Sequence, residues 1–544
     1  MRRRTPAGEN KSSASSKNSG EEDGETDKTK KPSSGGPSAQ PNFVMAFIAT
    51  IISVIFLGVV LIAFNVNGLQ NLNSEQFKLL LKVTEELKLQ DCPVKQQYLL
   101  PNDDKPTLLI WSPRMDLKHL KHVYSVFDRM GYHITEDNTS NWDVLWAHDY
   151  PFQALQSSLR NLKPNQRVNK LPGTGYITTK VSLATSGGLG IPPAFRLPDD
   201  KEQLLEYAHK NPKALFVEKN NDHRSVFFKP IEKINLDSKD NFVQEFIANP
   251  LLISGHKFDI GVYTIVTSID PLRIYKFDGD VLFRYCEEPY EPFNASNVPQ
   301  YVIGEDYLPA WKVPALQKYA EMSYGFKESF DAHLKSIGKN PDSIWDQVDK
   351  AIASVYLSRE KDFAALLSRY KNKRNFFEMV RFDFIVDENF KVHLLEANMS
   401  PNLSSMHYPP NALLYEQVLY SLLSLVGISS YLHPPFQPNA EVSNMVVANR
   451  NIMTSPEVCV NCDDCSKPEC QLCAPCLKED FVADIKKAYK EHLNRFRCRR
   501  IFPPRMTQAE AKLGIPQEYA ELSTKNILQY RWFQAKCLMD DVWC

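Results

Sequence analysis

The chain has 544 residues, with 64 Lys+Arg against 65 Asp+Glu and a formal net charge of −1. That balance excludes a general nucleic-acid binder, which carries a basic surplus, so no nucleic acid is expected as a partner. A hydrophobic content of 43% with only 21 glycines excludes wholesale disorder and collagenous repeats.

Residues 1–42 are rich in Ser, Gly, Lys, Glu and Pro and read as a disordered tail, because they lack the apolar surface that offsets chain entropy. Phe43 to Phe64 is a run of 22 residues without a charge. At about 1.5 Å per residue, a helix of that length spans a hydrocarbon core of roughly 30 Å. A single transmembrane helix, acting as a signal anchor in the lipid bilayer, is therefore expected over 43–66. Lys28, Lys30 and Lys31 precede it, and only Lys78 follows closely. This bias places the amino terminus in the cytoplasm and the main domain in the lumen, with a cytosolic main domain as the alternative. Residues 67–105 read as a stalk with helical spacing at Phe77, Leu80, Leu81, Val83 and Leu87.

A strand-like run, TLLIWS, opens at Thr107. From there to about Leu425, apolar runs alternate with amphipathic stretches, which predicts an α/β or α+β architecture. LFVEK at Leu215–Lys219 and FVQEFI at Phe242–Ile247 are short strands. A lysine at a strand end, such as Lys219, neutralises phosphates or is simply solvated. In GHKFDIGVYTIV, from Gly255, Lys257 and Asp259 share one face by period two. They form either a surface ion pair or part of a nucleotide pocket.

The most informative run is RFDFIVDENFKVHLLEANMSPNL, Arg381–Leu403. Two strand patterns flank a DEN turn. The expected register sets Asp387 opposite Val392 and Asp383 opposite Glu396, with Glu396 and Asn398 on one face. Asp383, Glu396 and Asn398 then offer three hard oxygen donors, a set that suits Mg²⁺. Both acids lie inside apolar strands, where an unpaired charge is costly.

HPPFQP, His433–Pro438, marks a linker within 431–458. Beyond it, Cys459, Cys462, Cys465, Cys470, Cys473 and Cys476 form two C-x2-C-x2-C trios. In a reducing compartment such spacing fits structural Zn²⁺; in an oxidising one it fits disulfides, which the orientation favours. Leu477, Phe481, Ile485, Ala488 and Leu493 predict one apolar helical face.

Taken in order, these segments resemble the tubulin tyrosine ligase-like family, over about Pro106–Leu425. PLLISGHKFDIGVYTIVTSIDPLRIYKFDGDVLFRY resembles its KFD region, the Arg381–Leu403 run its metal-binding hairpin, and RVNKLPGTGYITTK the segment ending in a phosphate-binding lysine. The resemblance implies an ATP-grasp-like fold, with an N-terminal α/β subdomain at 106–178, a central subdomain at 179–248 and a C-terminal subdomain carrying the metal site at 249–430. The Cys-rich, helical extension at 459–544 lies outside the family core. By position, Lys180 and Lys219 would hold ATP phosphates. Gln244, Glu245, Phe246 and Ile247 would line the adenine, and Lys257, Asp259 and Asn297 would also contact the nucleotide. Asp383, Glu396 and Asn398 would hold Mg²⁺. Arg284 and Glu396 would be catalytic.

The implied activity is ATP-dependent ligation of a free amino acid, glutamate, to a side-chain carboxylate of a protein acceptor, tubulin if the domain is cytosolic. Two runs depart from the family pattern. KNNDHRSVFF, Lys219–Phe228, lacks a phosphate-loop glycine, and KFDIG carries Gly261 where the pattern K-F-D-[LI]-R has arginine. The alternative reading is a membrane-anchored pseudoenzyme that binds nucleotide or serves as a scaffold.

Overall fold

The computed structural model describes residues 105–113, 117–220, 226–228, 230–239, 241–429 and 444–544. The expected tail, transmembrane segment and nearly all of the stalk lie outside the described residues, as do HPPFQP and most of the glycine-free run after Lys219. Among the described residues, no helix is long and apolar enough to cross a membrane.

Among the described residues, three sheets organise the chain. The first is parallel, in the order His133–Thr135, Thr107–Trp111, Val144–Ala147, Arg167–Val168. The second is antiparallel, in the order Ala194–Arg196, Asn241–Phe246, Leu215–Asn220, Val226–Phe228. The third has eight strands built around His256–Ile269, the spine strand. This strand is β-branched and aromatic and almost wholly buried, which suits a central position covered on both faces. It pairs with Leu272–Phe277, Leu282–Tyr285 and Glu378–Val386. The mixed α/β arrangement is consistent with the ATP-grasp-like expectation.

Period-two alternation splits the spine strand between two cores. Phe258, Ile260 and Val262 join a cluster with Ile344, Val348 and Ile352 of the helix Asp342–Leu357. Tyr263 and Ile265 join another with Leu414, Val418 and Leu422 of the helix Asn411–Leu425. The strand is thus clamped between helices, and its amino-terminal end is free to carry polar side chains.

The carboxylate hairpin forms as expected, with a register correction. Its strands are Glu378–Val386 and Val392–Asn398. Val386, not Asp387, lies opposite Val392. The register then shifts by one between Asp383 and Phe384, leaving Leu395 as an extra residue, and Asp383 does meet Glu396. Such a bulge re-aims side chains beside a site.

The carboxy-terminal extension is built into the main sheet. Cys498–Phe502 pairs antiparallel with Leu272–Phe277 and extends it. The predicted amphipathic helix spans Glu479–Asn494 and buries Phe481, Ile485 and Ala488. Leu493 is exposed, because twelve residues beyond Phe481 is about 120° around the helix from it. The six clustered cysteines pair as Cys459–Cys473, Cys462–Cys470 and Cys465–Cys476, which leaves no thiolates there for Zn²⁺. A fourth disulfide, Cys537–Cys544, had no sequence signal.

One buried ion pair joins extension and sheet. Arg273 donates from Nε to Glu491 Oε2 at 2.7 Å and from Nη2 to Oε1 at 3.0 Å, with the side chains 0% and 2% exposed. Thr267 and Tyr275 hydroxyls also donate to Glu491, and Gln529 accepts from Arg273. Removing one member leaves a buried charge uncompensated. Glu491→Ala should lower unfolding free energy by about 3–5 kcal/mol in urea denaturation; a loss under about 1 kcal/mol would show that the pair does not hold the extension.

Candidate active site

Four β-elements and one short helix bring the polar residues to a single cavity of about 240 Å³. The spine strand supplies Lys257 and Asp259, and Leu282–Tyr285 supplies Arg284 directly opposite Asp259. The hairpin supplies Asp383 and Glu396. The small antiparallel sheet supplies Lys219, Gln244, Glu245 and Phe246, with Ile247 following. Lys180 starts the short helix Lys180–Ala184 and also lines the cavity. A larger recess of about 500 Å³ shares Glu245, Phe246 and Ile247 but contains none of the lysines 180, 219 and 257. The chemistry therefore belongs to the smaller cavity.

Two expected members stand apart. Asn297 does not line the cavity; Tyr301, Val302 and Ile303 from the same loop do. Asn398 is set back, and its Nδ2 donates to Asp383 Oδ2 at 3.0 Å. The apolar walls Val217, Phe258, Ile385 and Leu395, and the residue Arg381 behind Asp383, were not singled out from sequence.

One end of the cavity is aromatic. Phe246 packs against Phe228, Phe293 and Tyr301, and the Lys257 ammonium lies 5.5 Å from the Phe246 ring centre. Lys257 Nζ donates to the Tyr301 carbonyl at 2.5 Å, and Lys219 Nζ donates to Gln244 Oε1 at 2.7 Å. Burial pushes the Lys219 ammonium down to about 8, aided by Lys180 and Lys257 and opposed by Glu396. Burial also lowers Lys257. Three crowded lysines facing one cavity form a strong anion attractor.

At the other end acids and arginines alternate. Arg284 clasps Asp259 through Nε to Oδ1 at 2.9 Å and Nη2 to Oδ2 at 2.7 Å, and its Nη2 reaches Asp383 Oδ2 at 3.1 Å. Arg381 clasps the same Asp383 through Nε to Oδ1 at 2.7 Å and Nη2 to Oδ2 at 2.8 Å. Burial raises the Asp383 carboxyl, but Arg381 and Arg284 together outweigh it and keep it ionised.

These contacts revise the metal expectation. Asp383, Glu396 and Asn398 are brought together, yet both Asp383 oxygens already accept from guanidinium groups. Among the described residues, no three His, Cys, Asp or Glu side chains stand as a metal cluster. Of the three acids at this end, Asp259, Asp383 and Glu396, it is Glu396 that is not paired with either arginine; Glu245, from the small sheet, accepts from the Tyr207 hydroxyl. One carboxylate beside a lysine-lined cavity fits Mg²⁺, which takes one or two carboxylates plus phosphate oxygens and waters.

The Lys219 shift carries a pH prediction. Below about pH 8 both folded and unfolded states hold the proton, so the burial cost is fully felt. Between about 8 and 10.5 only the unfolded state holds it, so stability gains a contribution that grows with pH. Lys219→Met should remove that gain when melting curves of the two proteins are compared across this range. Parallel curves would mean that Lys219 is not depressed.

Comparison with known proteins identifies the family. Residues 157–438 match the tubulin-tyrosine ligase family. The chain is 39% identical over 465 residues to a Caenorhabditis elegans protein named probable tubulin polyglutamylase ttll-15, covering 82% of this chain and 88% of that one. It is 28% identical to the human tubulin monoglutamylase TTLL4, covering 66% of this chain and 30% of that one. It is 25% identical to the human probable tubulin polyglutamylase TTLL2, covering 68% and 62%. With a family match over half its length and a relative this similar, the chain belongs to the tubulin-tyrosine ligase family.

Proposed function

We propose that the chain is an ATP- and Mg²⁺-dependent ligase that adds glutamate to a side-chain carboxylate of an acidic protein. The observation that carries this reading is the single cavity in which Lys180, Lys219 and Lys257 meet Arg284, Asp383 and Glu396. The names of the relatives, tubulin polyglutamylase and monoglutamylase, support glutamate as the amino acid and tubulin as an acceptor of this type.

The residues divide the work. The aromatic end around Phe246 takes a planar base, and the lysines neutralise a polyphosphate. Mg²⁺, when bound, supplies charge neutralisation at the phosphate oxygens. Arg284, with 18% of its side chain exposed, is the guanidinium that reaches the cavity, and Asp259 fixes its plane. In that position it stabilises charge as the acceptor carboxylate takes the γ-phosphoryl group and becomes an acyl phosphate. The glutamate amine then attacks the acyl carbon, phosphate leaves, and the amine proton passes to solvent or a nearby base.

The same proposal places the domain in an oxidising lumen. Four disulfides support this, since they persist in oxidising compartments. There the acceptor is an acidic lumenal protein rather than cytosolic tubulin. A domain protected from protease in intact vesicles is expected; digestion would return tubulin as the acceptor.

A second reading, a nucleotide-binding pseudoenzyme, rests on the Asp383 carboxylate being covered by arginines and on Gly261. One experiment separates the two. Wild type should incorporate labelled glutamate into acidic protein acceptors and gain thermal stability with Mg·ATP. Glu396→Gln should lower incorporation by about 10²-fold or more. A thermal gain without incorporation of glutamate into any acceptor, tubulin included, would favour the pseudoenzyme. No thermal gain in wild type would remove the nucleotide site.

A further inference from the structure

Gly261 lies at the crossing of three strands. It stands opposite Leu282 on one side and Asp383 on the other. Its backbone is ordinary extended strand, so the absence of a side chain answers a need for space, not for conformation. A Cβ at this position would stand 2.9 Å from Arg381 Cδ, 3.3 Å from Arg381 Nε and 3.3 Å from Asp383 Oδ1. The Arg381 side chain thus fills the volume that a residue at 261 would need. The sequence pattern leads one to expect a guanidinium from position 261; here the Arg381 side chain packs against that position from the neighbouring strand.

Arg381 is 7% exposed and does not line the cavity. It acts through Asp383, which it holds at both oxygens. Asp383 in turn receives Arg284, and Arg284 holds Asp259. We propose that Arg381 is a positioning residue that has taken over, across the sheet, the guanidinium site left open by Gly261, and that it sets the orientation of Arg284 for an anionic ligand. Without it, three acids (Asp259, Asp383 and Glu396) would share one arginine, and the excess negative charge would draw Arg284 inward, away from the cavity. Lysine would not replace it, since a point charge cannot clasp both carboxylate oxygens in one plane.

The functional part rests on the nucleotide-site reading; the spatial exchange does not. The test is a swap. Arg381→Gly, Gly261→Arg, the double variant and Arg381→Lys are compared by melting temperature and by calorimetric Mg·ATP affinity in the full chain. Gly261→Arg alone should lower the melting temperature, because two side chains compete for one volume. Arg381→Gly and Arg381→Lys should each weaken Mg·ATP binding tenfold or more. The double variant should recover affinity to within about threefold of wild type and melt above either single variant. The proposal is overturned if the double variant is no better than the worse single one, or if Arg381→Lys changes melting but leaves affinity untouched. Should Arg381→Gly fail to fold, Arg381→Lys and the double variant still decide. If wild type itself binds no Mg·ATP, the nucleotide reading fails, while the melting temperatures still report whether 261 and 381 share one volume.

Discussion

A carboxylate inside a β-sheet keeps its charge only if something opposite in sign is fixed beside it. In this protein that condition is met by a row of four groups, Arg381, Asp383, Arg284 and Asp259, on three adjacent strands of one sheet. Each acid lies between or against guanidinium groups. The row fixes two bidentate clasps in planes set by the pleat, so the cavity floor is rigid before any ligand arrives. Around this floor the lysines provide the charge that a polyphosphate needs, and of Asp259, Asp383 and Glu396 it is Glu396 that is not paired with an arginine.

The surrounding architecture serves that row. The spine strand holds Asp259 and Gly261 at its polar end, while its apolar remainder is clamped between two helices. The bulge at Leu395 restores the facing of Asp383 and Glu396 that a straight hairpin would have lost. The carboxy-terminal extension braces the far side of the same sheet through Arg273–Glu491 and an added strand. It is part of the sheet that carries the site, even though the family resemblance stops before it.

Sequence reasoning reached the parts of this site that periodicity encodes. Lys257 with Asp259 follows from period-two alternation, and acids inside apolar strands drew attention by their cost; Glu396 meets Asp383 as expected only because the bulge at Leu395 offsets the one-residue difference in register at the turn. Asn297, assigned to the nucleotide by resemblance alone, sits in a loop with no period to fix its direction and does not line the cavity. Arg381 stayed hidden because it lies two residues from Asp383 and reads as an ordinary strand residue. Its role emerges only when Gly261, 120 positions earlier, is seen to leave room for it. The pairing of six cysteines was likewise beyond reach, since spacing alone allows 15 arrangements. The ordered resemblance supplied what spacing could not, namely which lysines of many face one cavity.

The most direct measurement of the account is anomalous diffraction from crystals grown with Mn²⁺ and a non-hydrolysable ATP analogue. A manganese peak beside Glu396, with the base beside Phe246 and Arg381 still clasping Asp383, is the expected result. A nucleotide bound elsewhere, or an Asp383 released from Arg381 to become the principal metal ligand, would contradict it.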